Sequence, residues 1–207
     1  MVLIGEEILQ DYKANIAIMA SGKGTNAKNL ILSGKAIPNI NVTCLISDVE
    51  NAPALDMAKE LGVEGIYIPV EKSESLKKTK TEHESKIINV LKEYNVNWIL
   101  LAGYMRIIGP TLLNTYRGRI LNIHPSLLPA FPGKNAYEDA FNYGVKLSGA
   151  TTHFVDEGID TGKIILQDSF IRKNEDTLDD FKARGLELEH RLYSKTLEIL
   201  AEGRLEV

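Results

Sequence analysis

An amide and an imidazole lie two residues apart in the segment LNIHPSLLPAFPGK, which covers residues 121–134. If this segment begins as a strand, its period of two places Asn122 and His124 on the same face. Side by side, an amide N–H and an imidazole can stabilise an oxyanion and transfer a proton within one site. We therefore take Asn122 and His124 as candidate catalytic residues. The alternative interpretation is that His124 is an ordinary histidine of the core or the surface.

Acidic residues follow further along the chain, in the loop DEGIDTG at residues 156–162. One of the carboxylates of Asp156, Glu157 and Asp160 can fold back on His124, orient the imidazole and stabilise its charged form. The other interpretation is a solvated turn whose carboxylates all face water. Spacing along the sequence does not choose between the two.

The glycine-rich segment SGKGTNA, residues 21–27, follows a predicted strand and opens a predicted helix. Its glycines let the backbone approach a ligand, and the helix N-terminus offers N–H groups and partial positive charge to an anion. Two other interpretations stay open. One is a plain glycine turn. The other is the relaxed dinucleotide-binding pattern, formed by Gly22, Gly24 and Ala27 with Asp48 about 20 residues on.

Short apolar runs alternate with amphipathic stretches, which predicts a parallel sheet covered by helices on both faces. After about residue 145 two strand-like runs follow one another, so we expect antiparallel strands near the C-terminal part. The predicted fold is a single three-layer α/β domain with a mostly parallel, Rossmann-like twisted sheet. Its strands are predicted over residues 15–21, 41–47, 65–70, 98–103, 119–126, 149–155 and 163–171.

Helices are predicted over residues 25–34, 53–62 and 81–95, and a long C-terminal helix is predicted from Thr177. Thr81 and Glu84 have the spacing of a capping box, which places the start of the third helix. His83, in the same polar turn, is expected to be solvated. Residues 1–14 are predicted to form an extra helix ahead of a domain at 15–207.

The chain has 207 residues and a formal net charge of −4, from 24 Lys plus Arg and 28 Asp plus Glu. This balance argues against a broad basic face, so no nucleic acid partner is expected. The single cysteine, Cys44, excludes an intramolecular disulfide and a multi-cysteine zinc site. Apolar runs are too short to span a membrane. We expect a cytoplasmic protein without a metal.

Taken together, these segments resemble the folate-dependent glycinamide ribonucleotide formyltransferases of the formyltransferase-fold family. The resemblance covers nearly the whole chain and rests on SGKGTN, AGYMRIIGP, LNIHPSLLPAFPG, GATTHFVDEGIDTGKIILQ and the last helix. It implies transfer of a formyl group from 10-formyltetrahydrofolate directly to the primary amine of glycinamide ribonucleotide, in purine synthesis, with no acyl-enzyme and no metal. We expect a monomer or a weak homodimer.

The resemblance also implies a role for individual residues. The catalytic residues would be Asn122, His124 and Asp160. The ribonucleotide would be bound by Gly24, Thr25, Asn26 and Glu189. The folate would be bound by Lys80, Met105, Arg106, Ile107, Ile108, Asn122, Asp156, Glu157, Gly158, Ile159 and Asp160.

Two departures from the family pattern concern substrate binding. Lys134 and Asn135 stand where a histidine near position 135 is expected, and Leu186 stands where a polar phosphate contact is expected. The alternatives within the fold are a 10-formyltetrahydrofolate hydrolase and a methionyl-tRNA formyltransferase. From other classes, an NAD-dependent oxidoreductase and a non-catalytic phosphate-sensing module stay open.

Overall fold

The computed structural model describes residues 13–71 and 75–205, and in these ranges seven strands and six helices alternate along the chain. The strands are β1 (Ala14–Met19), β2 (Ile40–Ser47), β3 (Glu64–Tyr67), β4 (Trp98–Leu101), β5 (Ile120–His124), β6 (Leu147–Phe154) and β7 (Ile164–Ile171). The helices are α1 (Thr25–Ala36), α2 (Pro53–Glu60), α3 (Leu76–Glu93), α4 (Pro110–Thr115), α5 (Ala136–Tyr143) and α6 (Leu178–Ala201).

The strands form one sheet in the order β3-β2-β1-β4-β5-β6-β7. The pairs from β3 to β5 are parallel, whereas β5 with β6 and β6 with β7 are antiparallel. Parallel neighbours require a crossover, which the helices supply, and β6 and β7 are joined by a loop alone. The predicted fold class, including the antiparallel C-terminal part, is confirmed.

Apolar side chains fill both faces of the sheet, as a doubly covered parallel sheet requires. On β1, Ile16 and Ile18 belong to one core while Ala17 and Met19 belong to the other, with the strand period of two. The first core is closed by α1, α2, α5 and α6, and the second by α3 and α4. The molecule therefore has the predicted three layers.

The start of α3 differs from the prediction. The helix begins at Leu76, after Ser75 as N-cap, whose hydroxyl accepts from the Lys78 N–H at 3.2 Å. The capping box expected at Thr81 and Glu84 is therefore wrong, because both residues lie inside the helix. A capping box does form at the predicted start of α6, between Thr177 and Asp180.

Glu84 caps a different helix. Its buried carboxylate accepts the backbone N–H of Gly109, and that of Leu112 at 3.1 Å, at the start of α4. These N–H groups have no partner within their own helix, so an acceptor from a neighbouring element satisfies them. Glu84 therefore fixes α3 against the segment that follows β4.

Two short helices, α4 and α5, were absent from the prediction. With 6 and 8 residues they are too short for an apolar period to be recognised. The helix predicted over residues 1–14 lies outside the described residues except for its last two positions, and Ala14 is already the first residue of β1. Within the described ranges, no helix has both the length and the apolar character needed to cross a bilayer.

We predict that Glu84→Gln lowers the free energy of unfolding by about 2 kcal/mol, because an amide N–H would face a buried backbone N–H. Urea unfolding measures the change. Glu82→Gln, at an exposed position of the same helix, is the matched control. Equal stability of the two variants would show that the Glu84 cap contributes nothing.

Candidate functional site

A cleft of about 510 Å³ opens along the C-terminal ends of β4 and β5. Its walls come from the start of α1, the loop after β4, the end of β5, the start of α5, the β6–β7 loop and α6. In an open α/β sheet, ligands bind beyond the carboxyl ends of the strands. The cleft therefore lies where the fold favours a binding site.

His124 is the last residue of β5, and its side chain is only 4% exposed. Its Nδ1 lies 3.2 Å from Oδ2 of Asp160, and its Nε2 lies 2.8 Å from the Phe131 carbonyl oxygen. A carbonyl oxygen only accepts hydrogen bonds, so Nε2 carries a hydrogen and donates it. Contacts at both nitrogens fix the orientation of the ring.

Asp160 is held in place by its own loop. Its Oδ2 also accepts the Gly133 N–H at 2.8 Å, and its backbone has a left-handed φ of 55°. Asp156 tightens the loop by accepting from the Gly158 N–H at 3.0 Å and from the Thr161 hydroxyl at 2.7 Å. Asp160 is thus the loop carboxylate that lies against His124.

Asn122 contacts a second histidine. Nδ1 of His153 lies 2.8 Å from the Phe154 carbonyl oxygen and donates to it. Burial lowers the pKa of His153, so the ring is neutral and its Nε2 accepts from Nδ2 of Asn122 at 3.2 Å. This bond uses one of the two amide hydrogens of Asn122. The other hydrogen and the amide oxygen are left for a ligand.

One end of the cleft lies at the start of α1. Gly24 is the N-cap with φ 74°, and a Cβ there would lie 2.7 Å from Cβ of Ala54, so only glycine fits. Thr25 is exposed at the first position of the helix, and no side chain of the described residues caps it. Asn26 is buried and donates to Glu189 Oε2 on α6 at 2.6 Å.

The loop of residues 104–108 forms the other end. Met105, Arg106, Ile107 and Ile108 line the cleft and also a second cavity of about 380 Å³, to which Lys80 contributes from α3. The main cleft and the second cavity therefore share a wall made by this loop.

Asp48 anchors the 104–108 loop to the end of β1. Its carboxylate accepts a hydrogen bond from Nε of Arg106 at 2.6 Å and another from the Ser21 hydroxyl at 2.6 Å. The oxygen of the same hydroxyl accepts a hydrogen bond from the Met105 N–H at 2.9 Å. The dinucleotide-binding pattern requires the Asp48 carboxylate for a ribose. Here Arg106 and Ser21 occupy it, so the dinucleotide interpretation is not favoured.

The remaining predicted residues lie at different distances from the cleft. Asp156, Gly158 and Ile159 line it, and Lys134 lies at its rim. The side chain of Glu157 instead forms an exposed ion pair with Arg117 at 2.7 Å. Asn135 is the N-cap of α5, and Leu186 is half-buried and does not line the cleft. The structure thus places most of the predicted residues in the wall of the cleft. Four of them do not line it, namely Gly24, Thr25, Lys80 and Glu157, although Asn26, next to Thr25, does.

Comparison with known proteins assigns the family. The family model described as "Formyl transferase" matches residues 14–197. The chain belongs to this family. It is 40% identical over 185 residues to the phosphoribosylglycinamide formyltransferase of Bacillus subtilis, covering 89% of this chain and 93% of that protein.

A solved structure gives the same result for this formyl transferase family member. The glycinamide ribonucleotide transformylase 1 of Symbiobacterium toebii superposes with a TM-score of 0.88 at 38% identity, covering 96% of this chain and 92% of that one. The human trifunctional purine biosynthetic protein adenosine-3 is 36% identical over 197 residues, or 94% of this chain. The chain spans about a fifth of the length of that protein, 19%.

Three residues of the two cavities were missed, left open or misplaced by the sequence predictions. The mid-strand position of His153 was compatible with either the cleft or the core, and the structure places it in the wall of the cleft. Tyr137, which was missed, lines the cleft beside Glu189. His83 is buried, not solvated as expected, with its nitrogens 3.2 Å from the Pro69 carbonyl oxygen and 3.0 Å from the Tyr104 hydroxyl. A glycine inside the last helix, Gly185, is a sequence signal that could have pointed to Tyr137. The tyrosine ring occupies the space that a Cβ at Gly185 would fill.

Within the part of the chain that the structure describes, no group of three or more His, Cys, Asp or Glu side chains is arranged to hold a metal ion. Burial raises the pKa of the Cys44 thiol to about 11. The thiol is therefore protonated near neutral pH and is not a nucleophile.

We predict that the free energy of unfolding of this protein falls as the pH drops below 6.5, the ordinary pKa of histidine, in part because of His153. Burial lowers its pKa, so below 6.5 the unfolded chain binds a proton that the folded chain does not. In His153→Gln the dependence of the unfolding free energy on pH should therefore be weaker, by up to about 1.4 kcal/mol per pH unit.

Urea unfolding of both proteins at about pH 7.5 and about pH 5.5 measures the difference. Lys195→Gln, an exposed substitution on α6, is the control for the removal of a basic residue. Parallel curves for wild type and His153→Gln would show that His153 is not the titrating group.

Proposed function

We propose that this chain transfers a formyl group from 10-formyltetrahydrofolate to the primary amine of glycinamide ribonucleotide. The observation that carries the proposal is the meeting of Asn122, His124 and Asp160 in one cleft. An anion-binding helix start lies at one end of that cleft and an apolar loop at the other. The arrangement provides one binding region for each substrate and oxyanion chemistry between them.

The ends of the cleft suit the two substrates. The uncapped N-terminus of α1 offers backbone N–H groups to the phosphate of the ribonucleotide. Met105 and Ile107 in the opposite loop are exposed apolar side chains against which a flat pterin ring can pack. The volume of about 510 Å³ lies within the usual range for small-molecule sites.

In the reaction the substrate amine attacks the formyl carbon, and the carbonyl oxygen becomes an oxyanion. The free N–H of the half-buried Asn122 donates to that oxygen, as the donors of an oxyanion hole do. When both nitrogens of His124 carry a proton, the positive charge of the ring also stabilises the oxyanion.

The tetrahedral intermediate then breaks its bond to N10 of the folate. The amine has lost a proton and N10 gains one, and His124, or a water molecule that contacts it, carries this proton. Asp160 keeps the imidazole oriented throughout. Because both substrates are held close together, much of the remaining rate enhancement comes from proximity.

One assay separates this function from its rivals. The chain is mixed with 10-formyltetrahydrofolate, with and without glycinamide ribonucleotide, and release of tetrahydrofolate is followed. We expect release that depends on the ribonucleotide. Release without any amine would identify a hydrolase, and dependence on charged initiator tRNA would identify a tRNA formyltransferase. Absence of release together with NADH binding would favour the oxidoreductase, and phosphate binding without turnover would favour the sensing module.

We predict that His124→Ala and Asp160→Asn each lower kcat by at least about 100-fold, the usual loss for an acid–base or oxyanion group. Steady-state kinetics with both substrates measures the change. Asp168→Asn, which removes an exposed carboxylate of β7, is the matched control. A kcat close to wild type in either site variant would refute the role assigned to that residue.

The compartment and the assembly belong to the same proposal. The chain acts on two small molecules in the cytoplasm, as a monomer or a weak homodimer. Purine synthesis draws on cytoplasmic folate and nucleotide pools.

A further inference from the structure

Tyr137 lies at the ribonucleotide end of the cleft, and the chemistry of Asn122, His124 and Asp160 does not explain it. We propose that Tyr137 is a positioning residue that fixes the Glu189 carboxylate for hydrogen bonding to the ribose hydroxyls of the substrate. This inference rests on the proposed function and deepens it.

Gly185 makes room for the tyrosine ring. It is buried in the interior of α6, where glycine is less favourable than alanine. A Cβ at this position would lie 2.7 Å from Cζ of Tyr137 and closer still to its hydroxyl. Positions 185 and 189 are four residues apart and share one helix face. A ring lying on Gly185 therefore brings its hydroxyl to Glu189.

Two donors hold the Glu189 carboxylate, which is only 5% exposed. The Tyr137 hydroxyl donates to Oε1, and Nδ2 of Asn26 donates to Oε2 at 2.6 Å. Burial raises the pKa of Glu189, and the hydrogen bonds from Tyr137 and Asn26 oppose that rise. Burial and the adjacent carboxylate raise the pKa of Tyr137, so its hydroxyl remains a donor. The carboxylate is thus fixed from two different elements.

The hydrogen-bonding atoms that can still take a partner around Glu189 are all acceptors. Each oxygen of Glu189 has one partner and retains a lone pair. The Oδ1 atom of Asn26 is buried and has no hydrogen-bond partner among the described residues. A phosphate, which only accepts and is negatively charged, does not suit such a set. Hydroxyl groups do, and in a ribonucleotide whose phosphate lies at the start of α1 the nearest hydroxyls are those of the ribose.

The hydroxyl and the ring of Tyr137 can be separated by experiment. The ring packs edge-to-face on Phe181 at 6.2 Å and fills the space above Gly185, so a phenylalanine keeps both contacts. Tyr137→Phe therefore removes only the donor to Glu189. A role in packing alone would survive this change.

We expect Tyr137→Phe to raise the KM for glycinamide ribonucleotide by roughly tenfold, the effect of one hydrogen bond to a charged group. The KM for 10-formyltetrahydrofolate and kcat should change by less than about twofold, because neither depends on this carboxylate. Tyr143→Phe is the matched control, since it makes the same change on the same helix at a side chain that is 80% exposed.

A double-mutant cycle tests whether Tyr137 acts through Glu189. In the Glu189→Gln background, Tyr137→Phe should have little further effect on the KM for the ribonucleotide. Gly185→Ala, which displaces the ring, should reproduce the rise in KM. The inference is overturned if Tyr137→Phe leaves this KM unchanged, if it raises the KM of both substrates equally, or if its effect is undiminished in Glu189→Gln.

Calorimetric titration of glycinamide ribonucleotide into the wild type and Tyr137→Phe makes the same comparison without turnover. A wild type that binds the ribonucleotide but transfers no formyl group would refute the proposed activity, while the two affinities would still decide the role of Tyr137. A wild type that does not bind the ribonucleotide would overturn both proposals.

Discussion

The contact between the His124 imidazole and the Asp160 carboxylate is the constraint around which the site is organised. It joins the end of β5 to the β6–β7 loop, and it is possible because β6 runs antiparallel beside β5, with Thr151 opposite His124. β6 ends with Phe154 opposite Leu121, and the β6–β7 loop then carries Asp160 back to His124 at the carboxyl end of β5. Gly133 binds the same carboxylate, so three separate segments meet at one group.

The remainder of the site consists of similar links between distant segments. Asp48 joins the end of β1 to the 104–108 loop through Ser21 and Arg106, and Glu189 joins α6 to α1 and α5. These links are buried or half-buried polar contacts, which are strong when all members are paired. Because the net charge is −4, an anion in the cleft has local groups such as the uncapped N-terminus of α1 to bind, and no broad basic surface.

Local conformational preferences are overridden at two of these links. Asp160 has a left-handed backbone, and Gly185 lies in the interior of α6, where alanine would be the more favourable residue. Such departures persist where the surrounding structure fixes them, and they concentrate at functional sites. Here each brings a side chain to a partner on another element: Asp160 to His124, and Tyr137 to Glu189.

The sequence by itself determined the α/β class, the seven strands, the antiparallel end of the sheet and the pairing of Asn122 with His124 on one face. These follow from periodicity, which is a local property. Spacing left open which carboxylate meets His124, the family resemblance named Asp160, and the tertiary structure shows that contact. Only the tertiary structure decided that Glu84 caps α4 and that Asp48 binds Arg106. Tyr137 and His153 acquired their partners in the same way. Each of these contacts joins residues more than 20 positions apart, and a linear pattern does not encode which distant partner a polar side chain will find.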